Sequence, residues 1–271
     1  MGKIDLDCIK RWPWELEFAD KQTYEMCVEA LRRDGMLFEH VKFDELNLTK
    51  EQLYNLSLIA VKQNGLALQF VKEQTPEICI EAVRDDGRAL QFVKEKTEEI
   101  CIEAVKQNGR ALKYVNNQTD EICIEAVKKN GSNLYCVKNQ TPEICIEAIR
   151  QKGWALMDVK WGELEGKFSK EQLDEICVYA LKQDKHLIKY IRNKEEYEDM
   201  FNIKYLKEQG NASEVFAVKE NGIWLFTVGC QENITKETFI YRIYNTDGGF
   251  NLEKGINIHR QIYLDFLKEF K

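Results

Sequence analysis

Cys79, Cys101, Cys123 and Cys145 stand 22 residues apart, and each sits at the same place in a recurring string. The blocks read TPEICIEAVRDDGRALQFVKEK, TEEICIEAVKQNGRALKYVNNQ, TDEICIEAVKKNGSNLYCVKNQ and TPEICIEAIRQKGWALMDVK. A fixed period of this length marks a repeat architecture: one unit cannot bury its apolar stripe alone, so copies stack. Three looser copies extend the array. Gly35 follows Cys27 by eight residues, Ser57 takes the Cys place before Gly65, and Cys177 precedes Lys185 where the Gly belongs. A half unit, Leu16 to Thr23, leads into the first copy, so seven copies occupy roughly residues 14–192.

Within a copy the spacing predicts two short helices. Thr75 stands at an N-cap, Pro76 at the first helical position, and Glu77 in the first turn, where the helix dipole favours an anion. Ile78, Cys79, Ala82 and Val83 form one apolar stripe. Gly87 is expected to end the helix in a left-handed conformation, as Gly109, Gly131 and Gly153 do later. Ala89, Leu90, Phe92 and Val93 begin a second, shorter helix. Two copies carry insertions, at about 43–48 and 161–168. There Leu48-Thr49-Lys50-Glu51-Gln52 and Phe168-Ser169-Lys170-Glu171-Gln172 predict a capping box and a first helix longer by one turn.

The unit TPEICIEAVKxNGxALxxV resembles the tandem repeat of domain-of-unknown-function family 4116, over about two thirds of the chain. The resemblance implies a helical repeat fold and brings no catalytic residues. The fold class expected is mainly α: an α-solenoid of seven two-helix repeats of about 22 residues, plus a small C-terminal α+β module.

Composition adds limits. The chain has 271 residues, 44% of them hydrophobic, and nothing approaches the ~20 apolar residues of a membrane span. The start, Met1-Gly2-Lys3-Ile4-Asp5, lacks the basic flank and apolar core of a signal peptide, so none is expected. With 39 Lys+Arg against 46 Asp+Glu, the net charge of -7 gives no global sign of a polyanion partner. Nine cysteines raise disulfides or metal. Six of them (Cys27, Cys79, Cys101, Cys123, Cys145, Cys177) fill one repeat column, where neighbouring helices ~9–10 Å apart are too distant to bridge. Packing thiols point to a reducing, cytoplasmic compartment.

Two columns are basic: Arg32, Lys62, Arg84, Lys106, Lys128, Arg150 and Lys182, and Lys42, Lys72, Lys94, Lys138, Lys160 and Arg192. Phe70, Phe92, Tyr114 and Tyr190 run beside the second, which allows a single-stranded RNA or DNA reading. The plainer reading is dipole complementation and pairing with the preceding Glu column (Glu29, Glu81, Glu103, Glu125, Glu147). Another column refuses to repeat. After the Gly position come Met36, Leu66, Arg88, Arg110, Ser132, Trp154 and His186, and three further on Glu39, Gln69, Gln91, Lys113, Tyr135, Met157 and Lys189. Variation over a constant frame marks an exposed face, and in solenoids such faces carry recognition. The partner-binding candidates are therefore Arg88, Arg110, Tyr135, Trp154, Met157 and His186, with Trp161 of the second insertion. Trp12 and Trp14, flanking Pro13, are expected to cap the first repeat.

The domains expected are a solenoid over 1–192, a closing helix and linker over 193–212, and an α+β domain over 213–271. In the last, Val215–Lys219 and Ile223–Val228 flank Glu220-Asn221-Gly222 as a hairpin. Thr238–Tyr244 reads as a third strand, and Ile258, Ile262, Phe266 and Phe270 as a final helix. Cys230 and His259 allow a thiol enzyme on residue type alone, and Asp247-Gly248-Gly249 reads as a turn. No cofactor or metal motif is evident. The leading reading is a non-catalytic protein-binding module, of the kind that blocks an enzyme as an inhibitor or immunity protein. The alternatives are nucleic-acid binding through the columns and a thiol or hydrolytic activity in the C-terminal module.

Overall fold

The computed structural model describes residues 4–164, 166–210, 212–229, 231–245, 250–251 and 256–270. They fall into two compact units, Met1–Ser169 and Lys170–Lys271. The division comes earlier than the expected end of the array at 192, because the seventh repeat packs with the C-terminal residues.

In the first unit, α1 (Leu6–Arg11) precedes six repeats whose α-helices are α2 (Tyr24–Arg33), α3 (Lys50–Gln63), α4 (Pro76–Asp85), α5 (Glu98–Gln107), α6 (Asp120–Lys129) and α7 (Pro142–Gln151). A six-residue 3-10 helix follows each: Gly35–His40, Gly65–Phe70, Gly87–Phe92, Gly109–Tyr114, Gly131–Cys136 and Gly153–Asp158. From α2 on, each α-helix packs on the next, and each 3-10 helix on the next. The Thr caps are present: Thr75, Thr97, Thr119 and Thr141 accept from the amides of Ile78, Ile100, Ile122 and Ile144. The insertion lengthens α3 to 14 residues from the usual 10, behind a Thr49–Gln52 capping box.

The glycines act otherwise than expected. None of the five at 35, 65, 87, 109 and 131 has positive φ. The helix ends through an extended residue instead: Asp86 (φ -139°, ψ 109°) keeps its amide on the Ala82 carbonyl, while its carboxylate caps the amide of Arg88. Gly87 is needed for space. A Cβ there would lie 2.5 Å from the carbonyl oxygen of Ala104 in the next repeat; at Gly35, Gly65 and Gly131 the same clash is 2.2 Å, against Ala60, Ala82 and Ala148. The following helix ends on the bare glycine, and a side chain from that helix completes the contact. The Gly87 amide donates to Gln107 Oε1 (2.8 Å), whose Nε2 donates to the Asp85 carbonyl (2.9 Å).

A second stitch uses a Gln five residues before the Cys. Gln140 is 5% exposed. Its Nε2 donates to the carbonyls of Leu134 (3.3 Å) and Asp158 (2.8 Å), and its Oε1 accepts from the Lys160 amide (2.8 Å). It thereby ties the 3-10 helix before it to the one after it. Gln22, Gln74 and Gln118 do the same. The column cysteines Cys27, Cys79, Cys123 and Cys145 donate weakly to these Gln oxygens at 3.6–4.0 Å. Lys96 breaks the series, and among the described residues its side chain makes no hydrogen bond.

The second unit starts with α8 (Lys170–Gln183), the 3-10 helix Lys185–Tyr190 and α9 (Glu195–Phe201). An antiparallel sheet in the order β1 (Ile203–Leu206), β2 (Val215–Glu220), β3 (Ile223–Val228), β4 (Gln231–Thr235) follows. Then come α10 (Lys236–Asn245), the two-residue strands β5 (Phe250–Asn251) and β6 (Ile256–Asn257), and α11 (Ile258–Leu267). The hairpin is as expected: Asn221 (φ 49°) and Gly222 (φ 82°) turn β2 into β3. Two expectations are corrected. Ile203–Leu206 pairs with β2 as a strand, where a linker was expected. Thr238–Tyr244 is helix, and the strand lies just before it at Gln231–Thr235. Its β-branched and aromatic composition suggested a strand, but Thr235 caps the Thr238 amide, and Phe239 and Ile243, four apart, bury one helical face in the core with Val215, Ala217, Phe226, Phe266, Leu267 and Phe270. The alternate residue Phe216 faces the last repeat, its ring stacked on His186 at 4.0 Å. Tyr197 of α9 donates to Asp174 of α8 (2.6 Å). No helix among the described residues is long and apolar enough to cross a membrane.

Two outcomes follow for urea unfolding. Gly87→Ala lowers stability by about 1–3 kcal/mol by overpacking. Gly162→Ala, where nothing lies within 4 Å and φ is not positive, is neutral or slightly stabilising. Equal effects at the two sites would contradict the close-approach role. Gln140→Leu strands three backbone groups and costs about 2–4 kcal/mol, whereas Lys96→Gln installs the missing stitch and gains about 1 kcal/mol; a Lys96→Gln chain with a lower midpoint would count against the stitch.

Candidate functional site

A 3-10 helix has three residues per turn, so residues i and i+3 share one face. The two variable positions of each repeat are such a pair, and the turn between them is buried: Ala89, Leu90, Ala111, Leu112, Ala155 and Leu156 are fully enclosed. The framework thus turns Arg88 with Gln91, Arg110 with Lys113, Ser132 with Tyr135, and Trp154 with Met157 toward solvent on successive 3-10 helices. Tyr135 is 56%, Met157 51% and Trp154 40% exposed. Five of the expected residues, Arg88, Arg110, Tyr135, Trp154 and Met157, therefore share one ridge.

The other two lie elsewhere. Trp161 is half-buried and packs on Phe168 (centroids 5.8 Å) inside the second insertion. His186 belongs to the second unit, where its ring stacks on Phe216 and its Nδ1 lies 3.0 Å from Asp184 Oδ1. Beside it Glu214 accepts from Tyr205 (2.7 Å) and Lys189 (3.3 Å), and the Tyr205 hydrogen bond first of all holds this carboxyl below its ordinary range.

Trp12 and Trp14 do not cover the first repeat. Ile9, Leu16 and Ala19 fill that place, while the two indoles are 52% and 53% exposed with Phe18 open beside them. Pro13 stands 22 residues before Gly35, so Trp14 occupies the variable position one period before Met36. The period itself held this signal: carried one step back, it puts Trp14 on the ridge column.

Charges along the ridge are uneven. The Arg88 guanidinium clamps Asp86, with Nε at 3.1 and 3.0 Å from its two carboxylate oxygens and a terminal nitrogen at 2.6 Å. That hydrogen bonding holds the Asp86 carboxyl below its ordinary value. The Arg110 guanidinium makes no hydrogen bond or ion pair among the described residues; Lys113 lies over the Tyr114 ring, 4.7 Å from its centroid. Hydrogen bonding with Cys136 first of all raises the Tyr135 phenol, while the Arg110 charge lowers it.

Most residues of the two basic columns are already engaged, Lys62 with Glu81 of the next repeat (3.5 Å) among them. Arg32, Arg84, Lys106, Lys128 and Arg150 pair with the Glu three residues before, and Arg84 also reaches Glu103 of the next repeat at 2.6 Å. Lys42, Lys94, Lys138 and Lys160 donate their ammonium groups to backbone carbonyls of the preceding repeat. Such pairs are ordinary helix-surface and capping contacts.

All eight cysteines among the described residues are free thiols. Burial pushes Cys27 and Cys145 up to about 12 and Cys123 and Cys177 up to about 11, and raises Cys79 and Cys101. These are protonated packing groups, poor nucleophiles at neutral pH. Cys230 and Asp247-Gly248-Gly249 lie outside the described residues, so the Cys230–His259 pairing does too. His259 is half-buried, its Nδ1 enclosed and without a hydrogen-bond partner among the described residues.

The family model for Domain of unknown function (DUF4116) matches the chain over residues 55–96, 75–120 and 97–141. The three matches overlap across residues 55–141, consistent with tandem repeats of this domain. No curated protein and no solved structure matches the chain.

The thiol column sets an alkaline limit. Its stabilisation is complete below the ordinary thiol value of 9.0 and is lost as pH rises through the folded values of about 11 to 12. In that window the unfolded chain binds fewer protons than the native one. Urea midpoints are expected to fall steeply above about pH 9, and less steeply in a Cys123→Ala, Cys145→Ala chain. Identical slopes in the two proteins would show that other groups govern the loss.

Proposed function

We propose that this array of DUF4116 repeats is a non-catalytic protein-interaction module whose contact surface is the ridge of 3-10 helices from Gly87 to Asp158. The observation that carries the reading is the side-by-side exposure of Tyr135, Trp154 and Met157 on adjacent turns of an otherwise enclosed framework. Large apolar and aromatic side chains at the centre of a surface are the usual anchors of an interface, and each is worth about 2 kcal/mol or more when truncated. Engagement of most of the basic-column residues by glutamates and carbonyls shortens any cationic track, which favours a protein over a nucleic acid as partner. A binder of this kind acts by covering a partner's surface, as an inhibitor or immunity-type protein does when that surface is an enzyme's active face. The free, buried thiols suit a reducing compartment such as the cytoplasm.

The test is affinity capture from the native cell with the full chain and with its Tyr135→Ala, Trp154→Ala variant. The expected outcome is a partner retained by the first and lost by the second, with unchanged circular dichroism in the variant. Capture that is equal in both would move the interface off the ridge. Where the partner is an enzyme, its activity is expected to fall on adding one equivalent of the chain.

A further inference from the structure

We propose that the open cleft between the 3-10 helices Gly87–Phe92 and Gly109–Tyr114 receives a carboxylate from an acidic protein segment, whose neighbouring apolar residues lie along Tyr135, Met157 and Trp154. This deepens the protein-binding reading and rests on it. The cleft measures about 520 Å³, and Asp85, Asp86, Arg88, Arg110, Lys113 and Tyr114 line it. Three of its charged groups are engaged within the fold. Asp85 accepts from the Gly65 amide (2.6 Å), and Asp86 and Arg88 neutralise each other. Two cations remain. Arg110 has no hydrogen bond or ion pair among the described residues, and Lys113 meets only the Tyr114 ring. They stand three residues apart on one 3-10 helix, so both project from the same face, and a guanidinium fork beside an ammonium matches a carboxylate.

What flanks the pair selects the kind of acid. A nucleic-acid strand carries a charge at every nucleotide and needs a row of free cations. Here the free pair is followed on the next two repeats by Tyr135, Trp154 and Met157, and the chain as a whole carries a charge of -7. An anion presented singly, next to aliphatic or aromatic groups, is what a protein segment offers.

The test is selection of a random peptide display library on the full chain. Enriched peptides are expected to carry Asp or Glu beside a large apolar residue. Synthetic versions are expected to bind an Arg110→Glu, Lys113→Glu chain about tenfold or more weakly, the size of a lost charge-assisted contact. Binding should also weaken as salt is added. Arg110→Gln, Lys113→Gln should lose affinity in the same direction, and that variant decides the matter if charge reversal disturbs the fold. Peptides without acidic bias, or held equally by both charge variants yet lost by Tyr135→Ala, Trp154→Ala, would overturn the carboxylate site and leave the ridge standing. Enrichment of nothing, or of peptides indifferent to every variant, would overturn both. An oligouridylate that displaces the acidic peptides, and whose binding disappears on charge reversal, would assign the cleft to phosphate and also overturn the proposal.

Discussion

The contact on which this array depends is the seat of one backbone on another. A helix ends with its Ala carbonyl against a glycine of the preceding repeat, nearer than any side chain would allow. Such an approach fixes the distance between copies. It also lets a Gln at the end of the incoming helix reach the glycine's amide, so a steric allowance and a hydrogen bond reinforce each other at the same point. The apolar stripe of Ile, Cys, Ala and Val then packs at a spacing already set. Burial supplies the bulk of the driving force, and the glycine seat supplies register.

Much of this was legible in the residues because repetition averages away local ambiguity. One Thr before one apolar stripe is a weak helix start; the same Thr at 75, 97, 119 and 141 is a rule, and all four cap. What misled was the glycine, whose commonest use at a helix end is a left-handed turn. The extended Asp or Asn before it takes over that duty, and only the three-dimensional neighbour, an alanine carbonyl seventeen residues on (Gly87 to Ala104), explains why no side chain is tolerated. The C-terminal residues appear once each, so propensity stood alone there. Thr238–Tyr244 has the composition of a strand, and tertiary packing of Phe239 and Ile243 overrides it.

The ridge was visible for a related reason. Columns constrained by packing cannot drift, so the positions that do drift have to face outward, and Tyr135, Trp154 and Met157 do. Trp161 and His186 shared their composition without sharing their surroundings: one is folded into an insertion, and the other is pressed on Phe216. The stitching Gln carries no chemical signature of its own in the sequence, since an amide is neither a nucleophile, a charge nor a metal ligand of note. Its value lies in presenting donor and acceptor together to three backbone groups that water would otherwise have to satisfy.

The glycine column also bears on how long such an array can be. In the seventh copy its place is taken by Lys185, which carries four methylenes and a charge where a further helix would have to land. A duplicated block can be inserted wherever one glycine-bearing copy follows another, since each new helix finds the same bare seat. Past Lys185 there is no seat, and Phe216 on His186 occupies the turn that follows. The interior copies each offer the next helix a bare glycine, whereas the seventh offers the Lys185 side chain with Phe216 on the turn beside it.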